Sequence, residues 1–227
     1  MCIRDRPASV EGAIKEDDPH HASSRLLCLE NTVGGKAVSL EKMEDVSKTA
    51  RKNSLSIHLD GARFFNAVTA LNCKPEELAN YADSVSVCLS KGLGTPLGTV
   101  LVGSSKFIRK ARRNRKILGG SMRQVGIVAA AGHYALDNNI SRLVEDHNRA
   151  EFFANELREM NIGHVASGTN MVFFTPKNGQ AEKLRLHLEK YGVKIGDQNP
   201  SIRMVFHRDV SDEDLDKAIA GFKSFYQ

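Results

Sequence analysis

Two residues in this 227-residue chain stand where a carboxylate and an amine can work together. Asp60 closes the run LSIHLD, and Lys91 follows the run SVSVCLS. Both runs are rich in β-branched and aliphatic residues, and small or glycine-rich sequence follows each, in DGARFFNA and KGLGTPLG. The pattern predicts two strands of one sheet that present the two side chains from their C-terminal ends. In open α/β sheets that edge is where ligands bind. A lysine set between an apolar strand and a glycine-rich loop is expected to be partly desolvated. Such an amine gives up its proton more easily and becomes nucleophilic, as a Schiff base requires.

Pyridoxal phosphate would use both groups. Its aldehyde needs a lysine to hold it as an imine. Its ring nitrogen needs a carboxylate to stay protonated, so that the ring can accept electrons from a substrate carbanion. Taken singly, an Asp at a strand end is more often a turn or cap residue, and a Lys before Gly is more often a solvated loop residue. The two strand ends in this order favour the cofactor.

The elements that must position these residues follow from periodicity. RLLCLE, residues 25–30, reads as a strand, and NTVGG follows as a loop. Ser39 caps a helix with Leu40, Met43, Val46 and Ala50 at helical spacing. After strand 55–60, Pro75 opens the short helix PEELANYA, which leads to strand 84–89. TVLVG (99–103) is a further strand. The alternation indicates an α/β layered core. Residues 104–137 read as helix interrupted at Gly119-Gly120. A long helix over about 140–160 has Leu143, His147, Ala150, Phe153, Ala154 and Leu157 on one face. Strand 171–174, helix 181–191, strand 202–206 and a last helix capped by Ser211, with Asp214 three residues on, make a smaller α+β unit. The expected division is 1–139 and 140–227. The opening 24 residues show no sustained period and read as loop.

Composition sets the class. Hydrophobic residues make up 41% and charged residues 26%, as in an ordinary soluble globular protein. No apolar run approaches the roughly 18 residues of a membrane span, so no membrane partner is expected. Cys2, Cys28, Cys73 and Cys88 form no CxxC pair. Cys28 and Cys88 lie in apolar strands, and buried free thiols in a reducing cytoplasm are expected. The net charge of +5 suits anionic small molecules. KFIRKARRNRK (106–116) has no aromatic stacking platform beside it, so it reads as a solvated helix face and not as a nucleic-acid site. His20-His21 brings no further ligand motif, so no metal is expected.

Read together, HLDGARFFNAV, SVSVCLSKGLGTPLGTVLVG and RKILGGSMRQVGIVAAAGHYAL resemble the low-specificity L-threonine aldolase family. LLCLENT upstream and IRMVFHRDVS downstream fit in the same order. The resemblance runs from about residue 15 to residue 227. It implies the aspartate-aminotransferase type of pyridoxal-phosphate fold (fold type I, a three-layer α/β large domain with a small C-terminal α+β domain). The implied activity is cleavage of L-threonine or L-allo-threonine to glycine and acetaldehyde. It also implies a homo-oligomer, dimer or tetramer, whose active site crosses a subunit interface.

The resemblance assigns roles. Lys91 would carry the cofactor, and Asp60 would pair with its ring nitrogen. Arg63 and Arg203 would bind the substrate carboxylate through planar guanidinium forks, which fix orientation as well as charge. His20 would stand near the β-hydroxyl, where an imidazole can take up a proton. Lys116 and Arg123 would serve the cofactor site, Arg123 at its phosphate. Without the resemblance, Arg63 reads as a helix-start surface arginine, Arg203 as an edge-strand charge and His20 as a loop histidine.

The chain also departs from the family. MCIRDR does not fit it. The family's N-terminal Gly-Thr phosphate-binding turn, the histidine stacked on the cofactor and the serine near the substrate carboxylate are not found here. An N-terminally shortened sheet with an open edge and uncovered apolar surface is therefore expected. Two other readings stay open: β-elimination on the same scaffold, and a non-catalytic fragment.

Overall fold

The computed structural model describes residues 6–196 and 201–227. The chain forms two compact units. The first comprises the described residues up to Val33 together with Ala37–Ile140, and the second comprises Gly34–Lys36 with Ser141–Gln227.

The first unit is built on a four-stranded sheet in the order β1-β2-β3-β4. Its strands are β1 (Leu26–Glu30), β2 (Ser56–Gly61), β3 (Ser84–Cys88) and β4 (Thr99–Gly103). The first three are parallel and the fourth runs antiparallel to β3. Parallel neighbours need a crossover. Here helix α2 (Leu40–Lys52) joins β1 to β2, and α3 (Phe64–Leu71) with α4 (Pro75–Ala79) joins β2 to β3. The Ser39 hydroxyl accepts the Lys42 N–H at the start of α2, and Arg51 and Lys52 sit in its last turn, where cations complement the helix dipole. Met43, Val46, Ser47 and Ala50 form its buried stripe. Along β2 burial alternates: Ile57 and Leu59 are fully buried, whereas Ser56 and Asp60 are exposed.

Beyond β3 the apolar cover thins. Val100, Leu101 and Val102 of β4 are 42%, 37% and 49% exposed. Helix α5 (Ser105–Ile117) buries none of its residues, and Ile127 of α6 (Gly126–Asn138) is 82% exposed. The expected open edge with uncovered apolar surface is present at β4.

Three expectations need correction. The opening is not wholly loop, because Pro7–Glu11 forms a short helix, α1, with Pro at its first position; Met1–Asp5 of MCIRDR and Cys2 lie outside the described residues. Cys28 is exposed, since β1 is an edge strand whose burial alternates, while Cys73 and Cys88 are half-buried. Helix α3 went unread after DGAR, yet Phe64, Ala67 and Val68 bury its inner face.

The second unit has an antiparallel sheet, β5-β6-β7. It is made of α7 (Leu143–Glu159), β5 (Gly163–Gly168), β6 (Met171–Pro176), α8 (Ala181–Glu189), β7 (Ile202–Val205) and α9 (Asp212–Tyr226). Strand β5, GHVASG, was missed because small residues give no apolar alternation. Helix α7 starts at Leu143, the first residue of the expected apolar face. Phe222 packs edge-on against Phe153 and Phe174, with ring centroids 5.5 and 5.6 Å away. Ser211 and Asp214 form the predicted capping box on α9.

Asp146 on α7 is completely buried, and both its oxygens accept from the Arg142 guanidinium, at 2.7 and 3.2 Å. Removing the arginine leaves a buried carboxylate without its main partner. Arg142→Ala is expected to lower stability by about 3–5 kcal/mol, more than replacing both partners with apolar residues of similar volume. Urea denaturation of the single and double variants checks this.

The Tyr226 hydroxyl is buried without a hydrogen-bond partner among the described residues, and burial pushes its pKa up to about 12. An unfolded chain ionises tyrosine near 10. The stability linked to Tyr226 is therefore whole below about pH 10 and is lost as the pH rises towards 12. Thermal melts between pH 9 and 12 are expected to show a shallower alkaline decline in Tyr226→Phe.

Candidate active site

Strands β2 and β3 are adjacent and parallel, with Asp60 opposite Ser86 and Gly61 opposite Val87. Asp60 and the loop that carries Lys91 therefore leave the same C-terminal edge of the sheet, as the sequence pattern predicts. A tight turn follows Asp60, whose carboxylate accepts the Ala62 N–H at 2.9 Å. Gly61 is required there. A Cβ at that position would lie 2.7 Å from the Ser86 carbonyl oxygen and 2.9 Å from Phe64 Cβ.

The backbone of Asp60 is fixed from β1 as well. The Asn31 N–H donates to the Asp60 carbonyl at 3.1 Å. The buried Asn31 side chain closes the following loop, donating from Nδ2 to the Val38 carbonyl and accepting the Val38 N–H on Oδ1, at 2.9 and 3.0 Å. Sequence reading missed Asn31, because a buried carboxamide in a loop has no periodic signature.

Lys91 lies in the connection from β3 to β4, which is folded on itself. Leu89 N–H donates to the Gly98 carbonyl at 3.0 Å, Thr95 N–H to Leu89 at 3.1 Å, and Gly94 N–H to Lys91 at 2.9 Å. The Thr95 hydroxyl donates to the Leu97 carbonyl at 3.1 Å. Leu93 and Thr95 turn inward and are 3% and 7% exposed. Lys91 itself is exposed. The partial desolvation expected for it is not found, because the loop buries Leu93 and Thr95 and leaves Lys91 on the outside.

The remaining predicted residues are spread over several elements. Arg63 is half-buried at the start of α3, three residues after Asp60. His20 is exposed on a turn before β1, where its Nδ1 lies 2.8 Å from an Asp18 carboxylate oxygen. The His20 backbone N–H also donates to that carboxylate and holds Asp18 below the usual carboxylate range. Lys116 is exposed in the last turn of α5, and Arg123 is exposed between α5 and α6. Among the described residues no hydrogen bond links His20, Lys116 or Arg123 to Asp60 or Lys91. Arg203 belongs to the second unit, exposed on β7 opposite Phe173.

Charge is segregated around the lysine. Residues 84–136 contain nine Lys and Arg and no Asp or Glu. An exposed amine, a carboxylate on the neighbouring strand end and a wholly cationic following segment suit a phosphorylated aldehyde with a basic ring nitrogen. The donor set fits pyridoxal phosphate.

Comparison with known proteins agrees with this geometry. The chain is 45% identical over 212 residues to the low specificity L-threonine aldolase of Escherichia coli (strain K12), covering 93% of this chain and 63% of that protein. It is 41% identical over 227 residues to low-specificity L-threonine aldolase 1 of Arabidopsis thaliana, covering 95% of this chain and 63% of that protein. The chain thus spans less than two thirds of the length of these relatives. Among solved structures, Leishmania major threonine aldolase superposes with a TM-score of 0.82 at 18% identity, covering 98% of this chain and 67% of the other. A putative L-allo-threonine aldolase from Listeria monocytogenes gives 0.77 at 20% identity, covering 96% and 64%. These structures establish the fold as fold type I. Residues 6–178 match the family described as beta-eliminating lyase. With most of its length inside that match, on a sheet that presents Asp60 and Lys91 together, the chain belongs to the beta-eliminating lyase family.

Proposed function

We propose that this chain is part of a pyridoxal-phosphate enzyme that cleaves L-threonine or L-allo-threonine to glycine and acetaldehyde. The observation that carries the reading is the parallel register of β2 and β3, which brings Asp60 and Lys91 to one sheet edge. The 45% identity to an L-threonine aldolase supports the choice of reaction.

In this reading the Lys91 amine, which is exposed, would hold the cofactor aldehyde. Asp60 would pair with the cofactor's ring nitrogen. Bound pyridoxal phosphate supplies an electron-accepting ring for the charge left at Cα. A guanidinium fork, from Arg63 or from Arg203, would pair with the substrate carboxylate and set the orientation of the substrate. His20 accepts the β-hydroxyl proton as the Cα–Cβ bond breaks and acetaldehyde leaves; a proton delivered to Cα completes glycine. Arg123 would attract the cofactor phosphate, and Lys116 would serve the same cofactor site. A homo-oligomer in the cytoplasm completes the reading, with Arg123 reaching a neighbouring copy's site. Its support is the exposed placement of Arg123 between two helices and the three unpaired cysteines among the described residues.

A second reaction deserves testing because of the family description itself: β-elimination from an amino acid, for which Asp60 and Lys91 serve equally well. The products separate the two. Threonine giving glycine and acetaldehyde supports aldol cleavage, whereas ammonia with a keto acid supports elimination. The site assignment is tested by reducing the chain with borohydride in the presence of pyridoxal phosphate, then mapping peptides. The label is expected on Lys91 and is expected to vanish in Lys91→Ala. A label on another lysine overturns the assignment.

A further inference from the structure

A buried side chain that the reaction itself does not use holds the loop that carries Lys91 from behind. Asn139 follows the last residue of α6 and is 6% exposed. Its backbone N–H ends the helix in the ordinary way, donating to the Ala135 carbonyl at 2.9 Å. Its side chain does something else: Nδ2 donates to the Leu93 carbonyl at 2.7 Å, across 46 residues of sequence. Leu93 is two residues beyond Lys91. The loop's own hydrogen bonds use the carbonyls of Leu89, Lys91, Leu97 and Gly98, and Asn139 reaches Leu93.

We infer that Asn139 is a positioning residue for Lys91, acting through the Leu93 carbonyl; the inference rests on the proposed role of Lys91. The rest of α6 supports the same loop. A Cβ on Gly132 would sit 3.3 Å from Leu89 Cδ1, and one on Gly98 would sit 3.9 Å from Val128 Cγ1. Helix α6 thus packs against both ends of the loop, and Asn139 ties its middle. Apolar contacts are non-directional, whereas the 2.7 Å hydrogen bond has a fixed direction and length. This matters because Lys91 is exposed, so no surrounding packing sets its reach. The amine's starting point is set by the backbone alone, and a shift of about 1 Å in a reacting group is enough to slow a reaction on the order of a hundredfold.

Hydrogen exchange and covalent trapping on the full 227-residue chain test the inference together. In the wild type, the Gly94 and Thr95 amides are expected to be protected. In Asn139→Ala, peptide 89–98 is expected to exchange on the order of tenfold faster, because the buried Leu93 carbonyl loses its donor. Strands β1 and β2 are expected to keep their wild-type protection. Borohydride trapping of pyridoxal phosphate at Lys91 is expected to slow by a similar factor, and Asn139→Gln, which retains the donor, is expected to recover part of both signals. Unchanged loop exchange and trapping in Asn139→Ala overturns the inference. So does faster exchange spread evenly over the whole first unit, which marks a merely structural role. Should Asn139→Ala not fold, Asn139→Ser replaces it, and the wild-type amides decide independently: exchange of Gly94 and Thr95 at random-coil rates also overturns the inference. If the wild type takes no label at Lys91, the proposed function fails, while the exchange data still judge the hold of Asn139 on the loop.

Discussion

Parallel pairing of β2 with β3 is the constraint on which the site depends. In a parallel pair both strands end on the same side, so the residues that follow them share one edge of the sheet. The pairing of Asp60 with Ser86 fixes how far each strand runs before it breaks. An antiparallel pairing of the same two strands would have sent the carboxylate and the amine to opposite edges. The crossover helices α3 and α4, the close fit at Gly61 and the Asn31 bond to the Asp60 backbone all serve to keep that register.

The antiparallel fourth strand has a different part. Because β4 returns directly beside β3, the connection that carries Lys91 is short and closed by Leu89 and Gly98. A crossover would have needed a dozen or more residues. The compact connection lets a few inward side chains, Leu93 and Thr95 among them, set the path of the whole loop. Rigidity therefore comes from buried neighbours of the lysine and not from burial of the lysine itself.

Strands and helices with a clear period were legible in the sequence. RLLCLE, LSIHLD, SVSVCLS and TVLVG all form strands, and the Ser39 and Ser211 caps stand where the sequence places them. Elements without a period were not. FFNAVTAL is nearly apolar throughout and shows no polar face, and GHVASG has too little apolar surface to alternate. Asp60 and Lys91 stand out in the sequence because each interrupts an apolar run. The environment of Lys91 does not, since loop geometry depends on which side chains turn inward. Asn31 and Asn139 act through hydrogen bonds to distant backbone, which leave no local pattern. Cys28 is exposed although its strand is apolar, because β1 lies at an edge of the sheet.

Gly61 and Asp60 are neighbours with opposite tolerances. Gly61 has no room for even a methyl group, so it belongs to the folding of the sheet. The Asp60 side chain is exposed and its carboxylate accepts the Ala62 N–H of its own turn, so its chemistry can change with little effect on the fold. The same division separates Leu93 from Lys91. A scaffold in which the candidate reacting groups carry so little of the folding burden can exchange them one at a time and stay folded. That gives one architecture access to several reactions.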